Sequence, residues 1–302
     1  MSSAPNPAHR FFVPAGAVTA AGVEFSAEQQ QQIRKVLRLR DGERVIACPG
    51  DGTELIVILR VAGHAVSGEI EALRQGLPEP SRPVWLYQSA LRGDRFTWLL
   101  QKGTEIGVAA FVPVRYRYTQ PADYATKLGR YLAVVREAAE QCGRSSLPTV
   151  LPALQFEAAL ASTPPGSLRL LLDEDERAVS LVDALAQQPQ ADPNLAPDRS
   201  EHSPQSSAVS SAFVPPASGT AVPVALPFDR SRRPVAPLVP ICLFIGPEGG
   251  LHPDERALAL AAGVAPVSLG GRVLRSETAG LVAATLALAA SGDLGSAPRV
   301  GV

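Results

Sequence analysis

Apolar and polar positions follow two different rhythms along the chain. Up to about residue 75, short strand-like runs are separated by Gly and Asp turns, with one helical stretch near residues 27–37. The strand-like runs are residues 44–48, 53–61 and 65–73. Short strands of this kind, broken by turn residues, predict a small β-barrel. We therefore expect a first domain over residues 1–75.

From residue 84 the chain alternates between strand-like and helical runs. The predicted strands are residues 84–90, 109–114, 168–172, 239–244 and 267–269, and the predicted helices include residues 94–106, 128–142 and 276–290. This alternation predicts an α/β domain with a parallel sheet and helices on its faces. Residues 76–83, with three prolines, form the expected linker, and residues 84–302 form the second domain.

Residues 187–238 interrupt the second domain. They hold ten of the 28 prolines, and Ser, Ala and Gln fill much of the rest. Such a segment lacks the apolar residues that would order it, so we expect a disordered insertion. Because Arg230, Arg232 and Arg233 lie within it, a basic lid that contacts RNA is the alternative function for it.

Two glycine-rich loops follow predicted strands and precede predicted helices. The first is residues 245–251, Ile-Gly-Pro-Glu-Gly-Gly-Leu, and the second begins at Gly270-Gly271. Glycine admits positive φ and lets peptide groups approach a ligand closely. Because ligands of open α/β sheets bind at the carboxyl ends of strands, we expect both loops to line one pocket. Neither loop has the spacing of a P-loop or of a dinucleotide site, which disfavours a phosphate ligand.

Composition and charge limit the kinds of partner, metal site and cellular location that we expect. The chain has 302 residues and a formal net charge of −1, but residues 81–150 carry ten Lys/Arg against five Asp/Glu. This basic middle is where an RNA would approach. Three scattered cysteines without a C-x-x-C pair predict neither a metal site nor disulfides. No signal-like segment opens the chain, and no apolar run is long enough to span a bilayer, so we expect a cytoplasmic protein without membrane attachment.

Several blocks together resemble one family. Residues 245–251 and 269–279 are similar to the two S-adenosylmethionine-binding loops of the SPOUT methyltransferases, and the blocks at residues 9–13, 36–43, 101–108 and 137–144 are similar to the RsmE family within that class. The resemblance implies methylation of N3 of a uridine in small-subunit (16S) ribosomal RNA. It also implies a PUA-like RNA-binding barrel, a C-terminal trefoil knot, a homodimer, and a substrate within an assembled or partly assembled 30S particle.

The resemblance also implies residues for the cofactor. The cofactor-binding residues expected from it are Leu172, Ile245, Gly246, Pro247, Glu248, Gly249, Gly250, Leu269, Gly270 and Leu274. For Glu248, a role in shaping the loop is the alternative.

Two charged residues follow the second glycine loop at the start of a helix. Uridine N3 must lose a proton before it can accept a methyl group, which calls for a base or for cations that stabilise the anion. We assign Arg275 to charge stabilisation or RNA contact and Glu277 to the role of base. The alternative for Glu277 is favourable placement at a helix N-terminus.

RNA contacts are expected at basic positions elsewhere in the chain. We assign Arg10, Arg34, Lys35, Arg38 and Arg144 to RNA binding; for Arg144, an ion pair with Glu140 is the alternative. The string Arg-Tyr-Arg-Tyr at residues 115–118 fits stacking on single-stranded RNA, but it also fits an ordinary strand end.

Two other functions stay open from the sequence. One is an RNA-binding protein that has kept the fold without catalysis, and the other is a methyltransferase acting on a different RNA, such as transfer RNA. Intact glycines in both loops favour an enzyme over the first of these.

Overall fold

The computed structural model describes residue 7 and residues 9–119, 124–187 and 239–295. The expected insertion at 187–238 therefore lies, apart from its first residue, outside the described residues. Within the described ranges, two sheets carry the fold, one mixed and one parallel. The protein is thus α/β, with a separate sheet formed by its N-terminal part.

The N-terminal sheet has six strands in the order β1-β4-β5-β6-β3-β2. Its elements are β1 (Arg10–Phe12), β2 (Val18–Thr19), β3 (Gly22–Glu24), helix α1 (Ala27–Gln31), β4 (Arg44–Cys48), β5 (Thr53–Ala62) and β6 (Ala65–Gln75). In β5, Leu55, Val57 and Leu59 are buried at alternate positions, as expected for a sheet with one face on a core. The helix predicted over 27–37 is α1 followed by a wider π-helical turn, Gln32–Val36.

The second sheet is parallel throughout. Along its main path the order is β10-β8-β7-β12-β11-β13, and β9 also pairs with β8. The strands are β7 (Val84–Ser89), β8 (Ala110–Arg115), β9 (Thr149–Val150), β10 (Leu154–Gln155), β11 (Leu168–Leu172), β12 (Ile241–Ile245) and β13 (Ala265–Val267). All five residues of β12 are buried, because helices cover both faces.

Helices pack on both faces of this sheet. They are α2 (Arg95–Ile106), α3 (Leu128–Cys142), α4 (Phe156–Ala161), α5 (Leu181–Ala186), α6 (Pro253–Ala261) and α7 (Ser276–Ala290). Residues of α2, α3, α5 and α7 share one buried cluster, and residues of α4 and α6 share the cluster on the other face. No helix in the described ranges is both long enough and apolar enough to cross a bilayer.

One predicted strand is displaced. The sequence places it at residues 267–269, but β13 ends at Val267. The backbone of Ser268 instead bonds to Val179 and Leu181 in the segment that enters α5. The chain therefore leaves the sheet edge one residue after Val267, which starts the second glycine loop earlier than expected.

Candidate active site

The carboxyl ends of four neighbouring strands form one row. In the register of the sheet, Ile245 pairs with Gln88 on one side and with Leu172 on the other, and Leu172 pairs with Val267. The loops after β7, β11, β12 and β13 therefore begin at the same sheet edge. This is the position at which open α/β sheets bind ligands.

A cavity of about 590 Å³ lies at this edge. Both glycine loops line it, and so does the segment after β11. All ten residues that the sequence assigns to a cofactor are among its lining residues: Leu172, Ile245, Gly246, Pro247, Glu248, Gly249, Gly250, Leu269, Gly270 and Leu274. The volume is in the range typical of small-molecule sites. That these residues bind a cofactor stays a prediction.

The two glycine loops are tied together by buried hydrogen bonds. Ser276, the first residue of α7, donates its hydroxyl to the carbonyl oxygen of Gly246 at 2.7 Å. The same hydroxyl accepts a hydrogen bond from Nε2 of Gln88 at 2.8 Å. Gln88 and Ser276 are both buried. Gly280 leaves room for this arrangement, since a Cβ there would lie 2.3 Å from Oε1 of Gln88.

The glycines of the two loops are needed for two different structural reasons. Gly250 and Gly270 have φ of +77° and +103°, which other residues rarely adopt. Gly246 and Gly249 instead face close neighbours within the chain. A Cβ on Gly249 would lie 3.2 Å from Cβ of Tyr118, and a Cβ on Gly246 would lie 3.3 Å from the side chain of Leu251. Gly249 is therefore already constrained by the protein, whatever ligand approaches it.

Charged side chains that the sequence analysis did not assign also line the cavity. Asp173 follows β11, is buried, and pairs through Oδ2 with Nε of Arg256 at 2.6 Å. Glu174, Asp175 and Arg177 lie beside it. The signal was present in the sequence, because an acidic run directly follows the predicted strand at 168–172. Strand ends at this sheet edge are candidate ligand contacts, so the run could have been found.

Arg275 and Glu277 occupy different environments. Arg275 lines the cavity and occupies the N-cap position of α7, where its side chain makes no capping hydrogen bond. Glu277 lies in the first helical turn, is only 8% exposed, and is not among the residues that line the cavity. Its Oε2 has no hydrogen-bond partner within the described part of the chain. The geometry therefore places Arg275 at the cavity and leaves the role of Glu277 as a base undemonstrated.

Arg10 lies in a buried contact between the N-terminal sheet and the segment after α3. Its guanidinium donates to Oε1 of Glu54 at 2.6 Å and to Oγ of Ser145 at 3.0 Å. Burial acts to raise the pKa of Glu54, but hydrogen bonds from Ser145, Arg10 and Arg74 outweigh it and hold that pKa below its ordinary value. This side chain therefore has a structural partner that the sequence did not indicate.

Arg144 is also bound within the protein. It forms an ion pair with Glu79 of the linker and donates to the carbonyl oxygens of Thr104 and Val108. The alternative pairing with Glu140 is wrong, because the guanidinium of Arg144 is bound to Glu79 and to these two carbonyl oxygens, while Glu140 accepts a hydrogen bond from the backbone amide of Phe12 at 2.9 Å. Arg144 thereby joins Glu79, in the predicted linker, to the end of α2 and the segment after it.

The remaining three predicted RNA contacts lie in and just after the π-helical turn. Lys35 and Arg38 are exposed. Arg34 donates to the carbonyl oxygen of His64 at 2.6 Å. Arg38 has φ of +56°, an unusual backbone conformation for a residue with a side chain. The cluster is accessible to a phosphate backbone, and its contact with RNA stays a prediction.

Comparison with known proteins gives a consistent result. A sequence model of the RNA methyltransferase domain matches residues 78–195 and 227–288. The chain is 28% identical over 277 residues to the ribosomal RNA small subunit methyltransferase E of Synechocystis, covering 91% of this chain and 76% of that protein. It is 27% identical to the protein of the same name from Bacillus subtilis, with 86% of each chain covered.

A solved structure is similar over nearly the whole chain. It is a ribosomal RNA small subunit methyltransferase E from Neisseria gonorrhoeae bound to S-adenosyl methionine. The identity is 26% and the TM-score is 0.67, with 91% of this chain and 94% of that chain covered. The match includes both the N-terminal sheet and the parallel sheet, since it spans so much of the chain.

Proposed function

The chain belongs to the family of RNA methyltransferase domains, and from that premise we propose that it methylates N3 of a uridine in small-subunit ribosomal RNA, with S-adenosylmethionine as methyl donor. The relatives named above are small-subunit ribosomal RNA methyltransferases, and one of them holds the cofactor. The observation that carries the proposal is the cavity at which the two glycine loops meet.

The lining of this cavity suits S-adenosylmethionine. Leucine and isoleucine side chains offer apolar walls for an adenine, and the glycines expose peptide groups to its ring nitrogens. The carboxylates of Asp173 and Glu174 provide acceptors for hydroxyl or ammonium groups. We assign the cofactor to the ten lining residues predicted from the sequence. When bound, the cofactor supplies an electrophilic methyl group.

The protein then has to position a uridine and to assist removal of the proton from its N3. Methyl transfer needs alignment of nucleophile, methyl and sulfur, so positioning is the main contribution of the chain. Loss of the N3 proton leaves negative charge shared with the two carbonyl oxygens of the base. We assign the stabilisation of that charge to Arg275, and its position at the cavity and at the positive end of α7 supports this assignment. Glu277, in the first turn of the same helix, is our candidate base.

Further features of the proposal derive from the resemblance to RsmE. We infer that the N-terminal sheet is a PUA-like RNA-binding barrel and that the C-terminal strands and helix form a trefoil knot. The sheet has β12 between β7 and β11, an arrangement that open α/β sheets also adopt without a knot, so the knot rests on the resemblance. We also infer a homodimer, a substrate within the 30S particle, and a cytoplasmic location.

A direct transfer assay tests the function. Purified protein is incubated with S-adenosylmethionine labelled in its methyl group and with small subunits from a strain that lacks the gene. We expect label at one uridine, located by mapping modified nucleotides. The Gly250→Val variant serves as the inactive control. A valine at φ of +77° is strained, so the variant should lose the cofactor binding that calorimetry measures and should transfer no label.

The result separates the alternatives. Cofactor binding without transfer to any RNA would indicate an RNA-binding protein that lacks catalysis. Transfer to transfer RNA, with small subunits left unlabelled, would indicate another substrate. Absence of cofactor binding by the unmodified protein would refute the proposed function altogether.

A further inference from the structure

A second cleft adjoins the candidate cofactor cavity. It has a volume of about 500 Å³ and is lined by the segment after β7, the segment after β8 and the first glycine loop. Pro247, Glu248 and Gly249 line both the cleft and the cavity. One loop therefore separates the two spaces, so a polymer held in the cleft could present one of its units to the cavity.

The walls of this cleft combine cations with an exposed aromatic ring. Arg92, Arg95, Arg117 and Tyr118 all line it. Arg92 is exposed and has no ion pair among the residues that the structure describes. The Arg117 side chain is 59% exposed, and its guanidinium contacts the His252 ring at 3.1 Å (Nε2) and 3.3 Å (Nδ1) and the carboxylate of Asp254 at 3.5 Å. Both guanidinium groups can still bind an anion.

Tyr118 is held in place while its ring stays accessible. Its Cβ lies against Gly249, where an added Cβ would come within 3.2 Å. The backbone amide of Arg117, next to it, donates to Oε1 of Glu255 at 2.7 Å. The ring makes an edge contact with the ring of His252, with 5.8 Å between the centroids, and the residue is nonetheless 48% exposed. A fixed, half-exposed tyrosine is a surface on which a base can stack.

The residues of the Arg-Tyr-Arg-Tyr string thus have two different roles. Tyr116 is buried in the core and stacks near Phe156, as an ordinary strand end would. Arg117 and Tyr118 turn into the cleft. The hydroxyl of Thr119 accepts a hydrogen bond from the amide of Tyr116 at 2.8 Å and so fixes the turn between them.

We propose that this cleft binds a single-stranded segment of the RNA substrate, with a base stacked on Tyr118 and phosphates held by Arg92 and Arg117. The inference rests on the proposed function and names where the strand next to the reacting nucleotide lies. Phosphates require cations, and unpaired bases stack on aromatic rings irrespective of sequence. A duplex would not expose a base to the ring, so the ligand is single-stranded.

The test compares Tyr118→Ala with Tyr118→Phe. Alanine keeps the Cβ that touches Gly249 and removes only the ring, whereas phenylalanine keeps the stacking surface. In single-turnover methylation of small subunits, we expect Tyr118→Ala to raise the half-saturating subunit concentration roughly tenfold, and Tyr118→Phe to remain near the unmodified protein. Affinity for S-adenosylmethionine, measured by calorimetry, should stay unchanged in both variants.

The arginines are tested through salt dependence. Binding of a labelled oligouridylate is followed by anisotropy over a range of salt concentrations. The slope of log affinity against log salt is negative, and Arg92→Gln and Arg117→Gln should each reduce its magnitude by about 0.7. Arg136→Gln, an exposed arginine of α3 outside the cleft, is the matched control and should leave the slope as it is.

Two results would overturn the inference. One is normal RNA saturation and an unchanged salt slope in the Tyr118→Ala, Arg92→Gln and Arg117→Gln variants. The other is a loss of cofactor affinity in Tyr118→Ala that accounts for its whole defect, because the ring would then only support the loop. Failure of the proposed function looks different, since the unmodified protein would then bind no S-adenosylmethionine while oligouridylate binding could still be measured.

Discussion

Replacing Ser276 with alanine should loosen the candidate cofactor site without touching its lining glycines. The hydroxyl of Ser276 joins Gln88 to the carbonyl oxygen of Gly246 through two short hydrogen bonds. Alanine keeps the helix start and removes only this link. The variant therefore tests whether the hydrogen bonds of Ser276 with Gln88 and Gly246 contribute to stability and to cofactor binding.

The magnitude follows from the burial of the groups involved. Each lost hydrogen bond costs about 1 kcal/mol net, and more where a buried partner is left unpaired. Nε2 of Gln88 keeps only a longer contact, 3.3 Å, to the backbone oxygen of Ser276, while Oε1 of Gln88 already has no partner among the described residues. Alanine recovers up to about 0.5 kcal/mol through its helix propensity. We expect the free energy of unfolding to fall by roughly 1.5 kcal/mol.

Urea denaturation and calorimetry measure the two effects. The unfolding midpoint should decrease while the slope of the free energy with urea stays the same, because the surface exposed on unfolding does not change. Affinity for S-adenosylmethionine should also decrease, since Gly246 is no longer held. Thr285→Ala is a matched control, as Thr285 lies on the same helix and donates only to the carbonyl oxygen of Leu281. Unchanged stability and cofactor affinity in Ser276→Ala, equal to those of Thr285→Ala, would refute the reasoning.

Three further predictions concern charged groups. Burial raises the pKa of Glu140 above its unfolded-state value, so the folded protein loses stability as the pH rises from that unfolded value through the folded-state pKa. Glu140→Gln removes this loss and should therefore stabilise the protein more at pH 8 than at pH 4. An equal effect in thermal melts at both pH values would contradict this reasoning. Arg275→Ala and Glu277→Gln should lower single-turnover methylation far more than cofactor affinity, by about 10²–10⁴-fold if Glu277 is the base. High pH should partly rescue only the glutamate variant, whereas a full rate with a lower melting temperature would make Glu277 a helix-start residue. Exchanging both Lys35 and Arg38 for glutamine should weaken RNA binding evenly across sequences and reduce the salt slope, with cofactor affinity as the control; identical binding at every salt concentration would remove the cluster from the RNA contact surface.

Most local elements could be predicted from the sequence because local patterns determine them. The helix at 276–290 and the strand at 168–172 have the predicted bounds. The start of α6 could also be predicted, since Pro253 stands at its first position and Asp254 and Glu255 lie in its first turn. The two glycine loops were recognisable because glycine and proline together exclude a regular strand or helix.

Side-chain partners that are distant in the chain were not predictable in this way. The ion pair of Arg144 with Glu79 joins residues 65 positions apart, while the helical spacing pointed to Glu140. Arg10 reads as an RNA contact beside other basic residues, yet its partners are Glu54 and Ser145. A spacing rule describes one helix face only, and these partners come from other elements.

The sequence by itself determined where the strands, helices and glycine loops lie, because each depends on residues within a few positions of one another. It also indicated the kind of ligand through its resemblance to a family. Only the tertiary structure decided that Gln88, Ile245, Leu172 and Val267 lie in one row at the carboxyl ends of their strands, since sheet register is set by pairing across long stretches of chain. Tyr118, after β8, also lies against Gly249, after β12, and both residues line the second cleft beside the first cavity.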